Sequence, residues 1–96
     1  MRPERLSKVI HERVRLAMLS ALAARGAMTF GELKELLEVT DGNLSVHASM
    51  LEKHGLVRVK KEFSGRMPRT TFSLTREGRR EFKLYVEELE KILRPE

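Results

Sequence analysis

Apolar residues recur at helical spacing along the first half of the chain. From Ser7 to Arg25 there is neither proline nor glycine, and alanine, leucine, arginine and methionine dominate. This composition predicts a first helix over that range, ended by Gly26. Its apolar positions are too numerous for a single stripe, so the helix is expected to bury more than one side. In a short chain the second buried side predicts contact with another subunit, in which Val9 takes part.

Two shorter helices are predicted next. Thr29 and Glu32 have the spacing of a capping box, which predicts a second helix ending near Glu38. Thr40 is a second candidate for an N-cap, and it would open a third helix that runs to about Lys53. The positions of this helix that should face inward, at spacings of four and three, are Leu44, Ala48 and Leu51.

After Gly55 the period of the pattern changes from helical to alternating. Residues 56–63 and 70–74 each alternate apolar with polar side chains, which predicts the two strands of a β-hairpin. The segment between them, residues 64–69, contains glycine and proline. It is therefore expected to form a loop longer than a tight turn.

The last apolar pattern is again helical. Thr75 is placed to cap a final helix that ends at about Leu93. Apolar residues recur along it at intervals of four, three and four, which predicts a narrow seam that pairs with another helix. The residues of this predicted dimer seam are Phe82, Val86, Leu89 and Leu93.

The order of these elements is helix, helix, helix, two strands, helix. It predicts a mainly α fold with a β-hairpin, namely a winged helix-turn-helix in which a three-helix bundle is followed by a wing. A single domain would cover residues 1–96, with residues 76–93 as a C-terminal dimerisation helix. In such a fold the third helix is offered to the DNA major groove, and the hairpin to the adjacent backbone or minor groove.

Composition narrows the possible functions. The chain has 96 residues, of which 41% are hydrophobic, 34% charged and 5% aromatic, with no cysteine. Few aromatic residues argue against a platform that stacks single-stranded bases, and the lack of cysteine excludes disulfides and thiolate metal sites. No apolar run approaches the ~20 residues that span a membrane, and the N-terminus lacks the apolar stretch of a signal peptide. A cytoplasmic location is therefore expected.

The distribution of charge favours a polyanionic partner. The net charge is +5, with two basic zones: residues 1–28 carry +4 and residues 55–84 carry +6. Residues 29–54, which hold the second and third helices, carry −3. This acidic middle supports a rival hypothesis, in which the winged helix is a protein-interaction module without specific DNA binding.

Two motifs carry a resemblance to a known family. Residues 40–45 read TDGNLS, and residues 65–79 read GRMPRTTFSLTREGR. In combination they resemble the small winged-helix transcriptional regulators of bacteria and archaea, in the ArsR/MarR-like group, and more closely the short winged-helix DNA-binding domain family. The resemblance implies a homodimeric regulator that binds double-stranded DNA. Metal-sensing relatives use cysteines that this chain lacks, so no metal-sensing role is implied.

The third helix supplies the first set of candidate DNA-binding residues. Asparagine can pair with adenine, serine with either base edge, and valine with a thymine methyl group. The candidates on the exposed face are Thr40, Asn43, Ser45, Val46, Ser49 and Lys53. The alternative is a solvated polar face. Asp41, at the start of the helix, is expected to stabilise the helix terminus instead of touching phosphate.

The hairpin supplies the second set. Arg66 and Arg69 bracket a methionine and a proline at the predicted tip, where two guanidinium groups would face a groove or phosphates. Lys60 and Lys61 lie behind them in the sequence. The alternative is that lysines on an edge hairpin only discourage strand pairing between molecules.

Other chemistry finds little support in the sequence. His47 and His54 would lie about two helical turns apart, ~10 Å, which is too far to share one metal ion. Asp41, Ser45 and His47 contain the residue types of a hydrolase triad, but no nucleophile elbow or glycine-rich oxyanion loop accompanies them. No enzymatic activity, metal or cofactor is expected.

Overall fold

The computed structural model describes residues 2–95. Four α-helices are present: α1 (Arg13–Arg25), α2 (Phe30–Leu37), α3 (Asp41–Lys53) and α4 (Arg76–Leu93). Three strands, β1 (Met28–Thr29), β2 (Val57–Ser64) and β3 (Met67–Leu74), form an antiparallel sheet in the order β1-β3-β2. A single 3-10 turn, Pro3–Arg5, precedes α1. The predicted winged helix-turn-helix is thereby confirmed.

The start of α1 differs from the prediction. The helix begins at Arg13, because Glu12 acts as its N-cap and accepts hydrogen bonds from the backbone N–H groups of Val14 and Arg15 at 2.9 and 2.8 Å. The residues before it form a separate turn, in which the N–H of Ile10 donates to the hydroxyl of Ser7. The prediction that the helix includes residues 7–12 was wrong. Composition alone favours helix in these residues, but the turn and the Glu12 cap make the helix begin at Arg13.

The caps predicted for α2 and α3 are confirmed. The Thr29 hydroxyl accepts from the N–H of Glu32 at 3.1 Å, and the Glu32 carboxylate accepts from the N–H of Thr29 at 2.8 Å. The Thr40 hydroxyl accepts from the N–H of Asn43 at 3.1 Å. Between the two helices Glu38 has a φ of 53°, so the chain turns through a left-handed residue within three positions.

A compact apolar core lies beneath α3. The three positions predicted to face inward from this helix are at most 5% exposed. Apolar side chains from the other helices and from the sheet complete the core, including Ile10, Met18, Leu19, Leu22, Leu33, Phe72 and Tyr85. Burying this face fixes the rotation of α3, and so determines which side of the helix meets solvent.

The wing is longer and its turn tighter than predicted. Ser64 pairs with Met67, which leaves only Gly65 and Arg66 in the turn, and Gly65 takes a φ of 68°. The predicted loop over residues 64–69 was wrong, because Pro68 is compatible with a strand here. In a two-residue hairpin the pair that flanks the turn exchanges hydrogen bonds and the next pair does not, so the missing N–H of Pro68 costs this ladder no donor.

A third strand was not predicted. Met28 and Thr29 pair with Phe72 and Thr71 of β3, and this ties the base of the wing to the start of α2. A strand of two residues has too few positions to show an alternating pattern, so periodicity could not reveal it.

The end of the sheet is joined closely to α4. The Thr75 hydroxyl accepts from the N–H of Gly78 at 2.8 Å and donates to the carbonyl of Gly55 at 2.6 Å, which confirms Thr75 as the cap. Further along, Tyr85 is buried and its hydroxyl lies 2.8 Å from Nδ1 of His11. Burial raises the pKa of Tyr85. This residue, which the predicted seam does not include, packs α4 against its own chain.

Candidate nucleic-acid interface

The outer face of α3 is continuous and open to solvent. Because the buried positions occupy one side of the helix, residues about 180° around the helix from them point outward. Val46 lies at the centre of this face and is 65% exposed, with Ser49 and Lys53 following at helical spacing. The other predicted residues, Thr40, Asn43 and Ser45, are exposed as well.

A groove separates α3 from the wing. Ser45, Ser49 and Glu52 of α3 line one side, and Lys61 of β2 and Thr70 of β3 line the other. Its floor is apolar and includes Phe30, Ala48, Val59 and Phe72. We call this concave surface the α3–wing groove. It brings two predicted serines of the helix and one predicted lysine of the hairpin onto the same surface.

The predicted basic residues of the wing are divided between its two faces. Side chains alternate along a strand, so Lys61 shares the α3-facing side with Val59 and Phe63. Lys60 is on the opposite face, where its ammonium lies 3.7 Å from the carboxylate of Glu62. The two neighbouring lysines therefore do not form one patch.

The two predicted arginines are also separated. Arg66 occupies the turn at the tip, whereas Arg69 lies within β3, opposite Glu62. Arg69 and Gly31 line the same shallow depression beside the start of α2. Hydrogen bonds from Thr29 are the main reason that the pKa of Glu32 lies below its ordinary value, and the charge of Arg69 adds to the effect. Placing both arginines together at the tip was wrong, because the tip has only two residues.

Acidic groups near the outer face are partly neutralised. Asp41 opens α3, and its carboxylate lies 2.7 Å from the ammonium of Lys34 on α2. This ion pair and the position at a helix N-terminus both stabilise the negative charge, in agreement with the predicted role of Asp41. Glu52 lies inside the α3–wing groove itself, which the sequence pattern did not predict.

His47 of α3 contacts residues at the start of α1. Nδ1 of His47 lies 3.0 Å from a guanidinium nitrogen of Arg15 and 3.5 Å from the carboxylate of Glu12. Partial burial raises the pKa of Glu12, but the N–H of Arg15 and the nearby His47 outweigh this effect, and the pKa lies below its ordinary value. Within residues 2–95 no three histidine, aspartate or glutamate side chains are grouped so that they could hold a metal ion.

One exposed apolar side chain of the wing, that of Phe63, was missed as a site candidate, and Met67 is exposed on the other face. Phe63 is 75% exposed and Met67 is 70% exposed, on opposite faces of the hairpin next to the turn. In the sequence Phe63 fits the apolar phase of a strand, which predicts burial. It is exposed because the strand continues past the edge of the helical bundle, and alternation carries no information about where that edge lies.

The predicted dimer seam on α4 lies partly in the core of its own chain. Phe82, Val86 and Leu89 are half-buried against that core, and Val9 is half-buried as well. Leu93, by contrast, is 68% exposed. We call these four residues of α4 the α4 stripe. The exposed member of this stripe, Leu93, is the last residue of the helix.

A three-helix unit with an open third helix, followed by a projecting hairpin, defines a winged-helix DNA-binding domain. Residues 14–93 match the family described as "Winged helix DNA-binding domain", and the chain belongs to this family. An uncharacterized protein of Methanocaldococcus jannaschii is 37% identical over 82 residues, which cover 85% of this chain and 89% of that protein.

Solved structures of similar fold come from transcriptional regulators. A transcriptional regulator homologue from Pyrococcus horikoshii has a TM-score of 0.85 and 32% identity, covering 91% of this chain and 86% of that one. A putative regulator of the MarR family from Enterococcus faecalis has a TM-score of 0.75 and 26% identity, covering 85% and 74%. The chain therefore shares the winged-helix fold of these regulators. Across residues 2–95, no helix is both long and apolar enough to cross a membrane.

Proposed function

We propose that this chain is a transcriptional regulator that binds specific sequences of double-stranded DNA as a homodimer. In this proposal α3 lies in the major groove, and the wing contacts the adjacent backbone or minor groove. The observation that carries it is the α3–wing groove, which brings Ser45 and Ser49 of α3 onto one concave surface with Lys61 of the wing. The named regulators of similar fold support the same function.

The outer face of α3 is suited to reading bases. Its side chains are short and mostly neutral, so they can approach base edges and distinguish them by hydrogen bonds or by methyl contacts. In this proposal Val46 meets a thymine methyl group, and Asn43, in the first turn of α3, pairs with an adenine. Few cations lie on this face, so α3 adds little electrostatic attraction of its own.

The wing is suited to holding the DNA backbone. Residues 55–84 carry a net charge of +6, and the exposed cations of the hairpin lie within this segment. Contacts with phosphate provide affinity for any duplex and a strong dependence on salt. The proposed division is therefore affinity from the wing and specificity from α3.

A homodimer is proposed from the apolar surface of α4. The exposed end of the α4 stripe, together with the half-buried Val9, leaves apolar area that a second copy would cover. Two copies related by a twofold axis would offer two α3 helices to the two half-sites of a palindromic operator.

A protein-interaction module is the second candidate. It is favoured by the negative charge of residues 29–54 and by Glu52 inside the α3–wing groove, since a carboxylate repels phosphate. The two functions differ in their response to salt. Contact with several phosphates predicts a steep loss of duplex affinity between low and physiological salt, whereas an adaptor would bind duplex DNA weakly at every salt concentration.

The experiment that tests the proposal is selection of bound duplexes from a random library. Enrichment of a defined motif, followed by binding of that duplex at several salt concentrations, would support it. A library that stays random through repeated rounds, with no salt-dependent binding, would favour the protein-interaction module.

Removing the two wing arginines is expected to weaken binding to all DNA. The variant Arg66→Ala, Arg69→Ala should lose affinity for the selected and for random duplexes alike, and its salt slope should fall by about one unit per lost phosphate contact. Fluorescence anisotropy across a salt series measures both. The control Lys83→Ala, Arg94→Ala removes equal charge from α4 and the residue after it, and it should leave the slope unchanged. Undiminished binding of the arginine variant would refute an anchoring wing.

Removing the Asn43 amide is expected to affect only specific binding. The hydrogen bond from Asn43 to Thr40 uses the backbone N–H of Asn43, so alanine should preserve the helix cap. Asn43→Ala should cost about 1–3 kcal/mol on the selected duplex and little on random DNA. Ser20→Ala, an exposed change on α1, serves as the control. Equal losses on both kinds of DNA would contradict the assignment of specificity to α3.

A further inference from the structure

Among the exposed large apolar side chains of residues 2–95, the phenyl ring at the end of β2 is the most exposed. Phe63 is 75% exposed, and its cross-strand neighbour is Pro68. A ring left in water contributes almost none of the ~2 kcal/mol that full burial of such a side chain provides. Folding therefore gains little from an aromatic residue at this position, which leaves the ring available to a partner outside the chain.

The position of Phe63 relative to α3 indicates which partner it meets. It lies on the same face of β2 as Val59 and Lys61, and both of those residues line the α3–wing groove. At ~3.3 Å per residue, Phe63 is about 13 Å further along the strand than Val59. The major groove that would hold α3 is ~12 Å wide. With α3 in the major groove, a ring about 13 Å along the hairpin from Val59 would lie near the flanking phosphates and the minor groove beyond them.

The surroundings of Phe63 match that groove in charge. Arg66 in the turn and Lys61 on the same face place a cation on each side of the ring along the hairpin. Phosphates border the minor groove on both edges, while its floor offers base edges and sugars. Proteins that bind this groove often insert a phenylalanine, methionine or proline between base steps and bend the duplex by ~20–90°.

The hairpin fixes the backbone beneath the ring in the absence of DNA. The turn has only two residues, and Pro68 restricts the backbone opposite Phe63. Backbone that is already ordered loses less conformational entropy on binding.

We propose that Phe63 is an apolar wedge that enters the minor groove beside the α3 contact and bends the bound duplex. This inference rests on the proposed function, because it requires that α3 occupies the major groove. It adds an apolar contact between base steps, which differs from the base-edge contacts of α3 and from the electrostatic attraction of the wing cations.

The test compares three variants on the duplex selected by the unaltered protein. Bending is measured by energy transfer between dyes at the two ends of the duplex, and unstacking by 2-aminopurine placed at steps flanking the α3 site. With the unaltered protein we expect a bend of at least ~20° and a rise in 2-aminopurine emission. Phe63→Ala should abolish both and weaken binding about tenfold, while Phe63→Leu should retain most of the bend.

The matched control is Met67→Ala. Met67 is nearly as exposed as Phe63 and lies one cross-strand pair nearer the turn, but it is on the opposite face of the hairpin. It should bend DNA as the unaltered protein does. Sedimentation of each variant without DNA shows whether the ring instead joins two copies of the chain.

Three results would overturn the wedge. They are a straight duplex in the complex, an unchanged bend with Phe63→Ala, and a change of oligomeric state caused by that substitution alone. In each case specific binding by the unaltered protein would leave the proposed function standing. If the unaltered protein bound no duplex, the proposed function would fail first, and the wedge with it.

Discussion

Replacing Gly78 by alanine is expected to lower the free energy of unfolding by about 3 kcal/mol or more. A Cβ atom at this position would lie 1.9 Å from the carbonyl oxygen of Leu56 and 2.8 Å from its carbonyl carbon. The same oxygen accepts a hydrogen bond from the N–H of Thr75 at 3.1 Å. Because the atoms in the way belong to the backbone of Leu56, α4 has to move away from them. This movement strains the hydrogen bond from Thr75 to Leu56 and the Thr75 cap of α4.

Urea denaturation at a fixed protein concentration measures the effect. Gly42→Ala is the matched control, because a Cβ there would meet no atom of residues 2–95 within 4 Å. In α3 this change should be neutral or stabilise the fold by up to about 1 kcal/mol. Loss of cooperative unfolding in Gly78→Ala would agree with the prediction, whereas equal midpoints for the two alanine variants would contradict it.

Replacing Leu93 by aspartate is expected to separate the proposed dimer. Leu93 is exposed in the single chain, so the substitution should leave the fold intact, unlike a change at Leu89, which packs on the core. In a dimer the change would bury two unpaired carboxylates in an apolar seam. We expect the dissociation constant of the dimer to rise at least ~100-fold.

Sedimentation at micromolar concentration distinguishes the states. The unaltered protein should sediment at twice 11.1 kDa, and Leu93→Asp at 11.1 kDa. The control is Leu84→Asp, because Leu84 is 46% exposed and lies about 200° around α4 from Phe82. It should remain dimeric. Observation of a single 11.1 kDa species for the unaltered protein would refute the proposed dimer.

Much of the helical structure could be predicted because its signals are local. A hydroxyl residue before an amphipathic run provides the acceptor that the first N–H groups of a helix need, and Thr29, Thr40 and Thr75 each do so in the structure. The core positions of α3 followed from spacing alone. The start of α1 did not, because glutamate is an unusual N-cap and the preceding residues have good helical composition.

The sheet was less predictable because it depends on contacts between distant residues. The pairing of Met28 with Phe72 joins segments far apart in the sequence, and no local pattern encodes it. The turn was misjudged because proline and glycine are common both in long loops and in tight hairpins. The exposed face of α3 could be predicted from its core positions, but the separation of Lys60 from Lys61 required the register. The roles of all these residues in DNA binding stay predictions.

The two-residue turn also limits how the wing can change in evolution. One extra residue in β2 would exchange the two faces of the strand beyond it, so that Glu62 would point to the side where Phe63 now lies. Insertions that preserve the faces must add two residues to each strand, which lengthens the hairpin by about 7 Å. The reach of the wing is therefore adjustable only in coarse steps, and each step would shift its outer contact by about two base pairs along the DNA.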